Sequence, residues 1–174
     1  MTTLERDSRF LSAALPDLES YLLSETLYWP LGGSLPRLTP GALLLALQRL
    51  EALDPIAARK WQAQLDSVRA KRRSAWEQKT LQEIQNRLRL WSASISEWQS
   101  DEGERRADYA GEVSGRVILH LLLQETSAPE EQTALEGLDH FLRAKLKPAP
   151  FLWEPRLEQA FQQDEFWFLY GKLQ

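Results

Sequence analysis

Arg116 and His120 lie four residues apart in a segment predicted to be helical, and Glu112 precedes Arg116 by the same spacing. Residues at this spacing share one face of a helix. Arginine can bind a phosphate group, and histidine can act as an acid or base near neutral pH. The simpler interpretation, which we prefer, is an exposed ladder of charges beside an apolar run. A helical enzyme using Arg116 and His120 is therefore the third functional hypothesis.

Metal and nucleotide chemistry has little basis in the sequence. Glu136 and His140 also lie four residues apart, but the chain has only two histidines and no cysteine. A helical di-iron site would need the Glu-x-x-His motif twice, and that spacing does not occur. A Gly-Lys-Ser/Thr sequence, which would mark a phosphate-binding loop, is also missing. We predict no cofactor, no metal site and no catalytic residue.

A basic cluster is the strongest functional signal. Lys71, Arg72 and Arg73 are consecutive and Trp76 follows them, and residues 59–89 carry nine basic and three acidic residues although the net charge of the chain is −4. Positive charge interleaved with aromatic rings attracts phosphate backbones and unstacked bases. The sequence pI of about 5.3 argues against a general nucleic-acid binder, so an acidic protein partner fits better. The alternative is a solvated helix face with its tryptophans in the core.

The element that carries this cluster has no helix breaker. Residues 56–102 contain neither glycine nor proline, and Asp54-Pro55 is a typical helix start. We predict one very long helix over about 55–100, continuous or gently kinked. At full length it would measure roughly 70 Å, which exceeds the roughly 40 Å diameter of a compact chain of this size. A second helix starting at Thr80, in a capping box with Glu83, is the alternative.

The apolar residues of this stretch form two sets on different helix faces. The first set is Trp61, Leu65, Val68 and Ala75, and the second is Leu81, Ile84, Leu88, Trp91, Ile95 and Trp98. The second set has an unbroken spacing of three and four residues, which is typical of a seam against another helix. We predict that this seam mediates self-association or docking, with Leu88, Trp91, Ile95 and Trp98 as candidate contacts.

Aromatic residues concentrate near the carboxyl end. Phe166, Trp167 and Tyr170 belong to a run of five apolar residues, in a last helix predicted from Pro155 to Gly171. Because these side chains would point all round that helix, some must be covered by loops or by a partner. Either an aromatic cap inside the fold or an interface patch explains them. The same three residues are therefore further candidate contacts.

The other segments complete an all-α fold. Helices are predicted from Leu15-Pro16 to Tyr28, after Thr39-Pro40, from Glu104 to Gln124 and from Pro129 onward. We expect an irregular antiparallel bundle of five or six helices in a single domain, 1–174, with the leucine-rich helix after Thr39 at its centre and the long helix extending past the core. Gly111 and Gly115 would let a neighbouring helix approach closely.

These patterns predict a non-enzymatic interaction protein or accessory subunit. It would bind another protein, or a second copy of itself, through the long helix and the aromatic carboxyl-terminal segment. The alternative is a nucleic-acid-associated helical protein that uses the basic stretch 59–89. The amino terminus lacks the pattern of a secretory signal and no apolar run could span a bilayer, so we expect a cytoplasmic protein that does not enter the membrane.

Overall fold

The structure, a computed structural model, describes residues 1–100 and 108–174. Within these ranges the fold is all-α, as predicted, with six α-helices, two short 3₁₀ helices and one two-stranded sheet. The helices are α1 (Thr3–Leu22), α2 (Pro40–Leu53), α3 (Pro55–Lys71), α4 (Arg73–Gln99), α5 (Tyr109–Leu123) and α6 (Pro129–Lys145). The strands are β1 (Leu146–Pro148) and β2 (Gly171–Leu173), which pair antiparallel.

Side-chain caps begin α2 and α3 where the sequence predicts. The Thr39 hydroxyl accepts a hydrogen bond from the Ala42 amide, and the Asp54 carboxylate accepts one from the Ala57 amide. The first helix differs from the prediction because it begins at Thr3 and contains Pro16 in its interior. Thr2 starts it with a capping box, and this local motif offsets part of the cost of an internal proline.

The long stretch consists of two helices separated by one residue. Arg72 has φ −123° and ψ 45°, outside the helical region, and divides α3 from α4. Its amide still donates to the Val68 carbonyl, and its carbonyl accepts from the Trp76 amide. The predicted long helix is thus kinked at Arg72. The alternative start at Thr80 is wrong, because Thr80 lies inside α4.

The chain divides by its internal contacts into two compact units, residues 1–83 and 84–174. In the first unit α1, α2 and α3 pack on one another, and α2 contributes Leu43, Ala46, Leu47 and Leu50 to the core, as expected of a central helix. The predicted first face of the long stretch packs into this same core through Trp61, Leu65, Val68 and Ala75. That the chain acts as a single domain stays a prediction.

The second unit contains the rest of α4, then α5, α6 and the carboxyl-terminal segment. Trp98 of α4 contacts Tyr109 of α5 edge to face, with ring centroids 5.5 Å apart, and Ser94 Oγ lies 3.5 Å from the Glu112 carboxylate. The later residue of α4 thus contacts the earlier residue of α5, and the earlier residue of α4 contacts the later residue of α5. The two helices therefore run antiparallel, as a hairpin.

The carboxyl-terminal segment is not the α-helix predicted from Pro155 to Gly171. It forms 3₁₀ turns at Pro155–Ala160 and Trp167–Leu169 and then β2. A Cβ at Gly171 would lie 3.2 Å from the Leu146 side chain, so a larger residue here would require Leu146 to shift. The sequence-based interpretation of Gly171 as a helix end is therefore wrong.

Candidate functional site

A cavity lies between α4 and α5 within the second unit. Its volume is about 150 Å³, and we call it the α4–α5 notch. It is lined by Arg87, Leu90, Trp91, Gly111, Glu112, Ser114 and Gly115. The volume matches that of an engineered protein cavity large enough for a benzene-sized group.

Two glycines in the amino-terminal half of α5 leave this space open. A Cβ added at Gly111 or Gly115 would meet no atom of the described residues within 4 Å. The expectation that these glycines admit a closely packed neighbouring helix is therefore wrong for the part of the chain that the structure describes. Their missing side chains instead leave room on the α5 side of the notch.

The walls of the notch combine charge with apolar surface. Arg87 comes from α4 and Glu112 from α5, so each helix contributes one charge. Leu90 is one of the few large hydrophobic side chains that are exposed, at 56% of its full accessibility. Trp91 is buried, and its Nε1–H has no hydrogen-bond partner among the described residues. These features suit a small protein contact better than catalysis.

The predicted seam faces inward. Trp91, Ile95 and Trp98 are at most 5% exposed, and Leu88 is half-buried. Trp91 and Trp98 also contact each other edge to face at 5.4 Å. Trp91, Ile95 and Trp98 therefore serve the packing of α4 in this conformation, and only Leu88 of the four candidate contacts is partly accessible. Leu90, outside the seam, is the exposed apolar residue that the sequence analysis missed.

The basic cluster is engaged with acidic groups of the first unit. Arg72 donates two hydrogen bonds to Glu19 of α1, and Lys71 Nζ lies 3.0 Å from the same carboxylate. These contacts, led by those of Arg72, lower the pKa of Glu19. Arg73 pairs with Glu77 one turn along α4. Lys71 and Arg72 thus pair with an acidic residue of α1, while Arg73 pairs with one of its own helix.

Trp76 does not extend the basic surface. Its side chain is 1% exposed, and the Arg69 guanidinium lies over its ring at 5.8 Å. Stacking on a nucleic-acid base requires an accessible ring face. The Trp76 ring is therefore closed to a stacking base in this conformation, whereas binding of a partner by Lys71, Arg72 and Arg73 stays a prediction.

Arg116 is buried, which corrects the interpretation of an exposed charge ladder. It is 5% exposed and makes two hydrogen bonds to Asp139 of α6, at 2.9 and 2.7 Å. Its guanidinium carbon also lies 4.2 Å from the centre of the Phe168 ring. Nη1 has no hydrogen-bond partner in the part of the chain that is described. This paired and covered guanidinium has a structural role in joining α5 to α6.

His120 forms a separate, more exposed contact. Its Nε2 lies 2.8 Å from a Glu165 carboxylate oxygen, and the Gln124 amide donates to the same oxygen at 3.0 Å. The His120 contact, the larger influence, and the Gln124 contact hold the pKa of Glu165 below its usual value. The ring also packs edge-on against Phe166 at 4.8 Å. Arg116 and His120 thus have different partners and form no common reactive site.

The aromatic carboxyl-terminal residues pack internally. Phe166 and Phe168 are buried, while Trp167 and Tyr170 are half-buried. The Arg143 guanidinium covers the Trp167 ring at 3.8 Å, and the Tyr170 hydroxyl donates to the Phe161 carbonyl at 2.7 Å. Of the two interpretations of this segment, these contacts favour the internal cap.

Lys79, one of the nine basic residues of the stretch 59–89, is a buried charge. Its ammonium donates to the carbonyls of Ser24 and Thr26, at 2.8 and 2.5 Å, and lies over the Tyr21 ring. Burial lowers the pKa of Lys79. One turn on, the Glu83 carboxylate accepts from the Gly41 amide at the start of α2. The spacing of Lys79 and Glu83 was visible in the sequence, but their burial was not.

Comparisons with protein-family models, curated proteins and solved structures give no match. Among residues 1–100 and 108–174, no group of three or more histidine, aspartate or glutamate side chains could hold a metal ion. None of the helices in these ranges is both long and apolar enough to cross a membrane.

Proposed function

We propose that this chain is a non-enzymatic protein-interaction module and that its contact surface is the α4–α5 notch. One observation carries the proposal. Gly111 and Gly115 leave an open space along the amino-terminal half of α5 that no described group of the chain fills. Each glycine costs the helix about 0.5–1 kcal/mol relative to alanine. Gly137 of α6 is equally free of neighbours among the described residues, but Gly111 and Gly115 also line the notch, a space that an outside group can enter.

The rim of the notch has the properties of a small contact surface. Leu90 offers an exposed apolar side chain, and Arg87 and Glu112 offer opposite charges beside it. An apolar centre with polar groups at its edge is the usual arrangement of a protein interface. The proposal keeps the predicted use of the long helix but moves the contact from its buried seam to its exposed side.

The two other functional hypotheses receive less support. For nucleic acid, Lys71 and Arg72 would have to leave Glu19, and the Trp76 ring is covered. For an enzyme, Arg116 would have to leave Asp139. The aromatic carboxyl-terminal segment contributes to the proposal only as internal support for the second unit.

A pair of glycine variants tests the proposal. Gly115→Leu fills the notch, whereas Gly137→Leu adds the same side chain to α6 at an exposed glycine that is equally free of neighbours among the described residues. Both variants should melt at or above the temperature of the wild type, since leucine is a better helix former than glycine. Each is purified from its native host at native expression level, and the bound proteins are quantified by mass spectrometry.

We expect Gly115→Leu to lose a bound protein that Gly137→Leu retains. A second, differently tagged copy of the chain is expressed in the same cells, so that self-association is detected as well. Equal recovery of every bound protein by the two folded variants would overturn the proposal.

A further inference from the structure

We infer that the half-buried rings of Phe151, Trp153 and Tyr170 form a further contact surface, which binds an arginine side chain of a partner protein. We call these three rings the outer aromatic surface. None of the three residues lines the α4–α5 notch, so this inference is independent of the contact proposed there. It adds a second surface and names the chemistry of the group that the surface takes.

The rings of the outer aromatic surface are held in a fixed arrangement. Phe151 contacts both of the others, with its ring centre 6.5 Å from that of Trp153 and 5.3 Å from that of Tyr170. The backbone fixes their positions, because the Ala149 amide donates a hydrogen bond to the Tyr170 carbonyl at 3.0 Å. Such a surface loses little conformational entropy when a partner binds, which favours affinity.

Other rings of the same segment are covered by cations of the chain itself. The Arg143 guanidinium lies 3.8 Å from the centre of the Trp167 ring, and the Arg116 guanidinium lies 4.2 Å from the centre of the Phe168 ring. Among the described residues, no basic side chain lies over a ring of the outer aromatic surface, and its three rings are half-buried. An aromatic face attracts a cation, and in proteins that cation is more often arginine than lysine. The uncovered rings can therefore take from a partner the group that their neighbours take from the chain.

The chain around these rings is acidic. Residues 151–170 include four acidic residues and one basic residue. The basic residue, Arg156, is already paired with Glu154 at 3.5 Å. This charge favours a partner group that is cationic over one that is anionic.

Two of the four carboxylates are close to Tyr170. The Tyr170 hydroxyl donates to the Phe161 carbonyl at 2.7 Å, and the Phe161 amide donates to the carbonyl of Glu158. Burial and, after it, the charges of Glu158 and Asp164 raise the pKa of Tyr170. Both carboxylates are on exposed residues, so they can pair with a guanidinium that lies over the rings.

An arginine side chain suits both features with one group. Its guanidinium is planar, stacks on aromatic faces and presents N–H donors in a geometry that matches carboxylates. A phosphate or carboxylate group of a partner would be repelled by Glu158 and Asp164. An apolar side chain would pack on the rings but would leave the carboxylates without a partner.

NMR titration of the full chain with a short peptide tests the inference. The probe is acetyl-glycyl-arginyl-glycine amide, and the control is the same peptide with citrulline, which has nearly the same shape but no charge. The arginine peptide should shift the indole N–H signal of Trp153, assigned by its loss in Trp153→Phe, with a dissociation constant in the millimolar range. The shift should weaken as salt is added, and the citrulline peptide should cause little shift.

Two matched double variants separate the local carboxylates from the general charge of the chain. Glu158→Gln with Asp164→Asn should weaken binding about threefold or more. Glu130→Gln with Glu136→Gln removes two exposed carboxylates of α6 and should leave binding unchanged. All four positions are exposed, so both variants should fold like the wild type. Equal shifts with the two peptides, a Trp153 signal that neither peptide moves, or equal weakening by the two double variants would each overturn the inference.

Discussion

At the scale of single residues, the charged side chains that could take part in chemistry are the ones most fully occupied by hydrogen bonds within the fold. Arg116 is paired with Asp139, Lys79 is held by two carbonyls, and the Glu83 carboxylate is hydrogen-bonded to the start of α2. A buried charge is costly unless other groups of the fold compensate it, and each of these residues has hydrogen-bond partners inside the fold. By contrast, the residues that leave a surface open are Gly111 and Gly115, which have no functional groups at all.

The Glu165 carboxylate should make stability depend on pH in the acidic range. Its pKa in the folded chain lies below the ordinary 4.5, mainly through His120, so it stabilises the fold above pH 4.5. This contribution is lost as the pH falls through the lowered value. Because the side chain is half exposed, solvent screening limits the effect to about 1 kcal/mol or less.

Melting temperatures of the wild type and Glu165→Gln between pH 3 and 7 measure this contribution. The wild type should be the more stable protein at pH 6, and the two curves should converge below the lowered pKa of Glu165. Parallel curves over the whole range would show that the contact with His120 contributes nothing to stability.

At the scale of helices and strands, local chemistry could be predicted and long-range pairing could not. The caps at Thr39 and Asp54 depend on neighbouring residues, and the sequence identified both. The change of hydrophobic face within 56–102 was also visible, but the kink at Arg72 was not, since no breaker marks it. Its side chain bonds to Glu19, which is 53 residues away. The strand at Gly171–Leu173 likewise depends on pairing with Leu146–Pro148.

The candidate site was only partly visible in the sequence for a related reason. The glycines of α5 were noticed, and a role in helix packing was the natural interpretation. Whether such a position is filled or open depends on which helix lies opposite and at what distance. Leu90 was overlooked because it lies outside the apolar seam, where a single exposed leucine is ordinary.

The Arg116–Asp139 pair should be a principal link between α5 and α6. Arg116→Met removes the cation but leaves the Asp139 carboxylate, which is 16% exposed, without its partner. Loss of one member of a buried pair costs about 3–5 kcal/mol, whereas apolar replacement of both members can be nearly neutral. We therefore expect Arg116→Met to be strongly destabilising and Arg116→Met with Asp139→Leu to recover most of the loss. Urea unfolding gives both values. A single variant within about 1 kcal/mol of the wild type would contradict a structural role for the pair.

At the scale of the whole molecule, part of the charge and apolar pattern that suggested a partner is satisfied within the chain. Lys71 and Arg72 of the basic stretch 59–89 pair with Glu19, and the aromatic carboxyl-terminal segment packs on residues of α5 and α6. The α4–α5 notch, by contrast, is an open space among the described residues, with the exposed Leu90 at its edge. The central claim is therefore that this notch is a contact surface for another protein chain.

Photo-cross-linking from position 90 tests this claim most directly. The chain has no cysteine, so Leu90→Cys introduces a unique thiol for a photoactivatable label, and Ile56→Cys provides a control at a side chain that is 79% exposed in the first unit. On irradiation in an extract of the native host, the label at position 90 should join the chain to another protein chain far more often than the label at position 56, and adding Gly115→Leu should abolish the difference. Equal cross-linking from the two positions, or cross-linking at position 90 that Gly115→Leu leaves unchanged, would contradict the account.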